Sequence, residues 1–134
     1  MNWKLTSTMD LKLIIRGVLD MNISGWIRGM MAKSYRVDRF FELVIDCIVK
    51  ELEEWEHDTM ILYDWDAQNP NVNITFIIDL SLYTMQMSKT DIEQRKNQGP
   101  FSLDRTLWRF LERKGIKLRD DQYIRYVYGI FNVD

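Results

Sequence analysis

The stretch Val37 to Asp58, VDRFFELVIDCIVKELEEWEHD, constrains the fold more than any other. Its apolar residues Val37, Phe40, Phe41, Val44, Ile45, Ile48, Val49, Leu52 and Trp55 recur at three- and four-residue steps, which stacks them on one face of a helix. Glu42, Asp46, Lys50, Glu53 and His57 fall on the opposite half of the wheel, so the sequence predicts an amphipathic helix with one face on a core. Burying a side chain such as Phe40 or Ile48 is worth roughly 1.5 to 3 kcal/mol, enough for this helix to act as the spine of a domain. Ser34 is the expected N-cap. The far end breaks a rule. Glu51, Glu53, Glu54, Glu56 and Asp58 crowd the last turns, where the helix dipole disfavours each negative charge by about 0.3 to 1 kcal/mol.

Length and composition suit one globular domain spanning residues 1–134. With 46% hydrophobic residues, 28% charged residues, 6 Gly, 2 Pro and no internal repeat, nothing points to disorder. A chain of this size is expected to bury roughly two-thirds of its unfolded surface without disulfides. The single cysteine, Cys47, lies at the edge of the helix's apolar face and reads as a buried structural thiol in a reducing compartment. Asp10, Lys12, Arg16 and Asp20 interrupt the apolar N-terminal stretch, so neither a signal peptide nor a membrane span is expected and the localisation reads as cytoplasmic. The net charge of −2 is unevenly spread: +4 over residues 1–37, −8 over 38–66, −1 over 67–88, +4 over 89–125 and −1 over the tail. Either the acidic middle is neutralised by its basic flanks, or it is a surface that meets a cationic partner.

Around the long helix the remaining elements read as follows. Residues Ser7 to Ile23 fit both a strand, through apolar odd positions from Met9 to Ile23, and a helix, through Leu11, Ile14, Ile15, Val18 and Leu19; the downstream sheet tilts the reading toward a strand. Ile23 to Lys33 reads as a short helix or turn. Thr59 to Trp65 and Val72 to Asp79 read as strands, joined by the turn-rich Asp66–Asn71, with an alternation that runs on toward Met87. Ser88 or Thr90 starts a short polar helix that Gly99-Pro100 stops. Ser102 caps a helix from Leu103 to Lys114, followed by Gly115 in the C-terminal position. Asp120 to Asp134 reads as a helix in preference to a strand. The fold class is therefore α+β, one long helix packed on a small antiparallel sheet with short C-terminal helices.

Chemistry-bearing patterns are sparse. His57 is the only histidine, which removes Ser-His-Asp and Cys-His catalysis, and no glycine spacing fits a phosphate loop. Glu54 and His57 have the i, i+3 spacing of di-iron bundles, but those sites need the pair twice. Asp64, Asp66 and a helix glutamate would suffice for magnesium in a phosphodiester enzyme, but no lysine or second acidic strand accompanies them. Neither an enzyme, a metal nor a cofactor is expected.

Two binding surfaces remain. Glu53, Glu54, Glu56, Asp58, Tyr63, Asp64, Trp65 and Asp66 form an acidic, aromatic-framed set suited to a protein partner with a basic surface, as an inhibitor, immunity or antagonist protein would use. Arg105, Arg109 and Arg113, extended by Lys114, Lys117 and Arg119, form a row that would contact nucleic-acid phosphates, although the pI of 5.4 speaks against that alternative.

Overall fold

The computed structural model describes residues 3–5 and 25–129. Residues 7–23, where strand and helix readings compete, lie outside that range, as do the last residues of the C-terminal helix reading. The element order is β1 (Trp3–Leu5), α1 (Gly25–Ser34), α2 (Val37–Glu54), β2 (Thr59–Asp64), β3 (Asn71–Ile78), β4 (Ser81–Ser88), α3 (Lys89–Gln98), α4 (Ser102–Arg113) and α5 (Gln122–Tyr128). The α+β architecture expected from the sequence is present.

The sheet is antiparallel throughout, in the order β1-β2-β3-β4. Cross-strand partners share a face, so Ile61, Phe76 and Tyr83 form one inner row, and Tyr63, Ile74 and Met85 form the next. The outer face carries the row Met60, Ile77 and Leu82. The alternation running past Asp79 belongs to two strands rather than one extended strand. Asp79 (φ 52°) and Leu80 (φ 70°) reverse the chain between Ile78 and Ser81, which pair with each other. Positive φ at both central residues is what a two-residue hairpin turn needs, and it is ordinarily met by Asn-Gly or Asp-Gly; the Asp-Leu pair hides the turn in the sequence.

Helix α2 lies against the inner face of the sheet and is also covered on its far side. Phe40, Phe41, Val44, Ile45, Ile48, Val49 and Leu52 are buried, as the periodicity predicts, but so are Leu43, Cys47, Asp46 and Glu51. Of the expected polar face only Asp46 is interior, while Glu42, Lys50, Glu53 and His57 stay partly exposed. Ser34 ends α1 instead of capping α2, whose N-cap is Arg36 without a side-chain capping hydrogen bond. Ser88 accepts from the Asp91 amide and starts α3. Ser102 is the first residue of α4 rather than its cap, and its hydroxyl bonds the Gln98 side chain at 2.9 Å. Gly115 (φ 101°) ends α4 as expected, in a conformation that costs glycine little. Asp121 caps α5 by accepting from the Ile124 amide at 2.9 Å.

The helical side of the interior is polar at its centre. Arg28 of α1 is 2% exposed and donates to Asp104 of α4, which is fully buried, at 2.8 Å. It also donates to the Pro100 carbonyl at 3.1 Å and lies over the Phe101 ring at 4.7 Å. The Tyr123 hydroxyl donates to the same Asp104 oxygen and accepts from Trp108 Nε1 at 3.0 Å. Burial alone would lower the Arg28 pKa, but the charge and hydrogen bond of Asp104, joined by Cys47 and Tyr123, together outweigh it and the guanidinium stays charged. One network thus ties α1, α4 and α5 together beside Cys47, whose thiol burial pushes up to about 12. A thiol held there is inert packing.

Candidate functional site

Where α2 meets β2, Glu56 and Asp58, the end of the sequence's acidic run, are taken out of the helix. The helix stops at Glu54, and the Glu56 amide bonds the Glu53 carbonyl at 3.0 Å while the His57 amide bonds the Leu52 carbonyl at 2.9 Å. This is the hydrogen-bond pattern that ends helices on a left-handed residue, a role glycine usually fills. Here it is filled by Glu56, at φ 68°. The dipole conflict read from the sequence is accordingly smaller than it looked: Glu56 and Asp58 lie beyond the helix, Glu54 pairs with Lys50 at 2.8 Å, and Glu51 turns inward. Burial, reinforced by the hydrogen bond to Asp121, pushes the Glu51 carboxyl up to about 9.

The hairpin tip closes on this same corner. Asp79 accepts from the Asp58 amide at 2.9 Å and meets His57 Nδ1 at 2.6 Å, and its own amide donates to the Asp58 carbonyl at 2.8 Å. The His57 hydrogen bond, then the Asp58 amide, hold the Asp79 carboxyl below the usual range. Beside it stand Leu80, 87% exposed, and Leu82, 66% exposed, with Met60 in the Leu82 row. Asp58 and Asp79 therefore meet beside a protruding apolar knob, with Glu56 two residues before Asp58 and with Glu53 and Glu54 in the last turn of α2. Glu56, Asp79 and Leu80 are the non-glycine residues at positive φ among the described residues, and all three belong to this pole. A β-hairpin tip and a helix end both hold side chains where glycine would fit at lower cost, roughly 1 to 2 kcal/mol per residue.

The other four members of the sequence-read surface lie elsewhere. Strand β2 separates Asp58 from Asp64 by about 20 Å at the usual rise per residue. At that far end Tyr63 is 1% exposed, stacks edge-on against Phe41 at 4.9 Å and donates to Glu42 at 3.3 Å, so it belongs to the core and cannot anchor a partner. Trp65 packs on Phe41 at 5.4 Å under Lys89, whose ammonium lies 5.2 Å from the indole and bonds the Asp66 carbonyl. Asp66 accepts from the Gln68 amide at 3.0 Å and shapes the connection to β3. Asp64 is half-buried in the sheet. Sequence neighbours within one acidic run are thus divided between two ends of a strand. Leu80 and Leu82, which sequence reasoning missed, take the place of the aromatics; the signal was an Asp-Leu pair inside an unbroken strand alternation.

The arginine row is engaged along α5. Arg105 donates to the Val127 carbonyl at 2.9 Å, and Arg109 lies over the Tyr128 ring at 5.9 Å. Arg113, Lys114 and Lys117 are exposed. Arg119 donates to the Trp55 carbonyl at 3.2 Å, drawing a cation under the acidic pole. Among the described residues no three His, Cys, Asp or Glu side chains converge in an arrangement that would hold a metal ion, and no helix is long and apolar enough to cross a membrane. Comparison with protein-family models, curated proteins and solved structures gives no match.

Proposed function

We propose that this chain is a small protein-binding module, acting by occupation rather than catalysis in the manner of an inhibitor, immunity or antagonist protein, and that the pole at Glu56, Asp58, Asp79 and Leu80 is its working surface. The observation that carries this reading is the coincidence of backbone strain and apolar exposure there: three side chains sit in left-handed conformations, and one of them is a leucine at 87% exposure. Folding gains nothing from a leucine in that position, whereas a partner gains an anchor. Interfaces commonly combine a central apolar anchor with a polar rim, the anchor providing 2 kcal/mol or more, roughly. Carboxylates around it favour a partner whose pocket for Leu80 is ringed by lysine or arginine, and they would speed encounter in a salt-dependent way.

The test is affinity capture with the tagged wild-type chain and with Leu80→Asp. Leu80 is solvent-exposed, so the variant keeps the fold. A captured protein with a basic surface that disappears with Leu80→Asp, and whose yield falls as salt is raised, supports the reading. A set of captured proteins identical for both chains overturns it.

A further inference from the structure

The two edges of the sheet are unlike. Strand β1 is three residues long and includes Lys4. Strand β4 is eight residues long, Ser81–Ser88, with neither a charge nor a proline. Its pairing with β3 runs unbroken from Ile78↔Ser81 to Asn71↔Ser88, so no bulge twists the edge away. Short strands, charges, prolines and bulges are the means by which sheets protect their edges from pairing with another chain. The β1 edge has two of them and the β4 edge has none. Among the described residues no strand lies beyond β4.

We infer that β4 pairs antiparallel with β4 of a second copy of this chain across a two-fold axis normal to the sheet, joining two sheets into one. A two-fold interface puts the same strand opposite itself, and the side-chain alternation then requires even positions to face even ones. Centring the axis on Thr84 keeps seven of the strand's eight residues paired, Ser81 through Met87. Thr84 then faces Thr84 of the second copy and Leu82 faces its Gln86 on the outer face. On the inner face Tyr83 meets Met85 of the second copy, and both are partly buried hydrophobics at the margin of the core. Hydroxyl meets hydroxyl, sulfur meets an aromatic ring, and no like charges are opposed, all favourable cross-strand pairs. These self-complementary pairs, on a strand that carries no charge, point to a second copy as the occupant.

The experiment is the mass in solution, by light scattering, of the wild-type chain, of Thr84→Lys, of Thr84→Glu and of an equimolar mixture of the two variants. Thr84 is exposed on the outer face, so both variants retain the monomer fold. The wild type is expected at twice the chain mass, each variant at one chain, and the mixture restored to two by the opposite charges. Independently, mild oxidation of Thr84→Cys should link two chains, whereas Ser81→Cys, about 20 Å from its own copy in this register, should not. A single-chain mass for the wild type across its soluble range overturns the inference. So does a two-chain mass that persists in both charge variants, or equal crosslinking at the two positions.

Discussion

Charge is concentrated in two regions of this molecule, and the two treat it in opposite ways. Between the helices Arg28, Asp104 and Tyr123 are matched, desolvated and hydrogen-bonded across segments as far apart in the chain as 76 residues. At the end of β2, Glu54, Glu56, Asp58 and Asp79 stand in water, with short contacts that shape the backbone more than they neutralise it. In the first region the charges belong to the fold. In the second the fold would lose little without them, which leaves them available for recognition.

The largest effect should come from breaking the buried region. Arg28→Met leaves Asp104 buried without its cation, and removing one partner of such a pair costs about 3 to 5 kcal/mol. Urea unfolding should show this loss, and part of it should return in Arg28→Met/Asp104→Leu, where no buried charge is left unpaired although the Tyr123 hydroxyl loses its acceptor. A loss of under about 1 kcal/mol for the single change would mean that the network is not holding α1 to α4 and α5.

Glu51 lies between the two regions and sharpens the boundary. Its folded pKa, raised to about 9, exceeds the ordinary value of 4.5, so the folded state holds a proton that the unfolded state has released. Stability from this group is fully present below pH 4.5 and is lost progressively as pH rises toward 9. Gln is the permanently neutral counterpart and can still donate to Asp121. Glu51→Gln should therefore stabilise the protein at pH 8 by about 1 to 3 kcal/mol and flatten the pH dependence of its thermal midpoint. A variant less stable than wild type at pH 8 would place the carboxylate, rather than the acid, in the native state.

Smaller still is the strain at the exposed pole. Glu56→Gly relieves a left-handed glutamate at the helix end and should raise stability by about 0.5 to 1 kcal/mol in thermal unfolding. If the substitution destabilises instead, the glutamate contributes more to the native state than its backbone conformation costs.

Much of this architecture is legible in the residues themselves. Three-and-four periodicity from Val37 to Leu52 and from Leu103 to Leu111 locates the two main helices, and strict alternation from Val72 to Ile78 locates the central strand. These patterns are local consequences of one buried face. The hairpin at Asp79-Leu80 is not legible, because its turn departs from the glycine chemistry that marks such turns. Neither is the burial of Asp46, Glu51 and Asp104, since a charged residue on a helix reads as solvated until its tertiary neighbours are known. The acidic site was half visible for a related reason. Glu53 to Asp66 is continuous as a sequence, but a helix end and a strand carry Asp58 and Asp66 to different ends of the sheet, where Asp66 serves a turn and Asp58 faces the hairpin tip. Adjacency along a chain becomes adjacency in space only within one turn or one strand pair.

The contrast between structural and available charge is most directly tested in one chain, Glu56→Lys/Asp58→Lys, by measuring its urea unfolding and its capture of partner protein side by side. The account predicts an unfolding free energy within about 0.5 kcal/mol of wild type, as for surface positions generally, together with loss of the partner. Capture that matches wild type, or a loss of capture accompanied by an equal loss of fold, would contradict it.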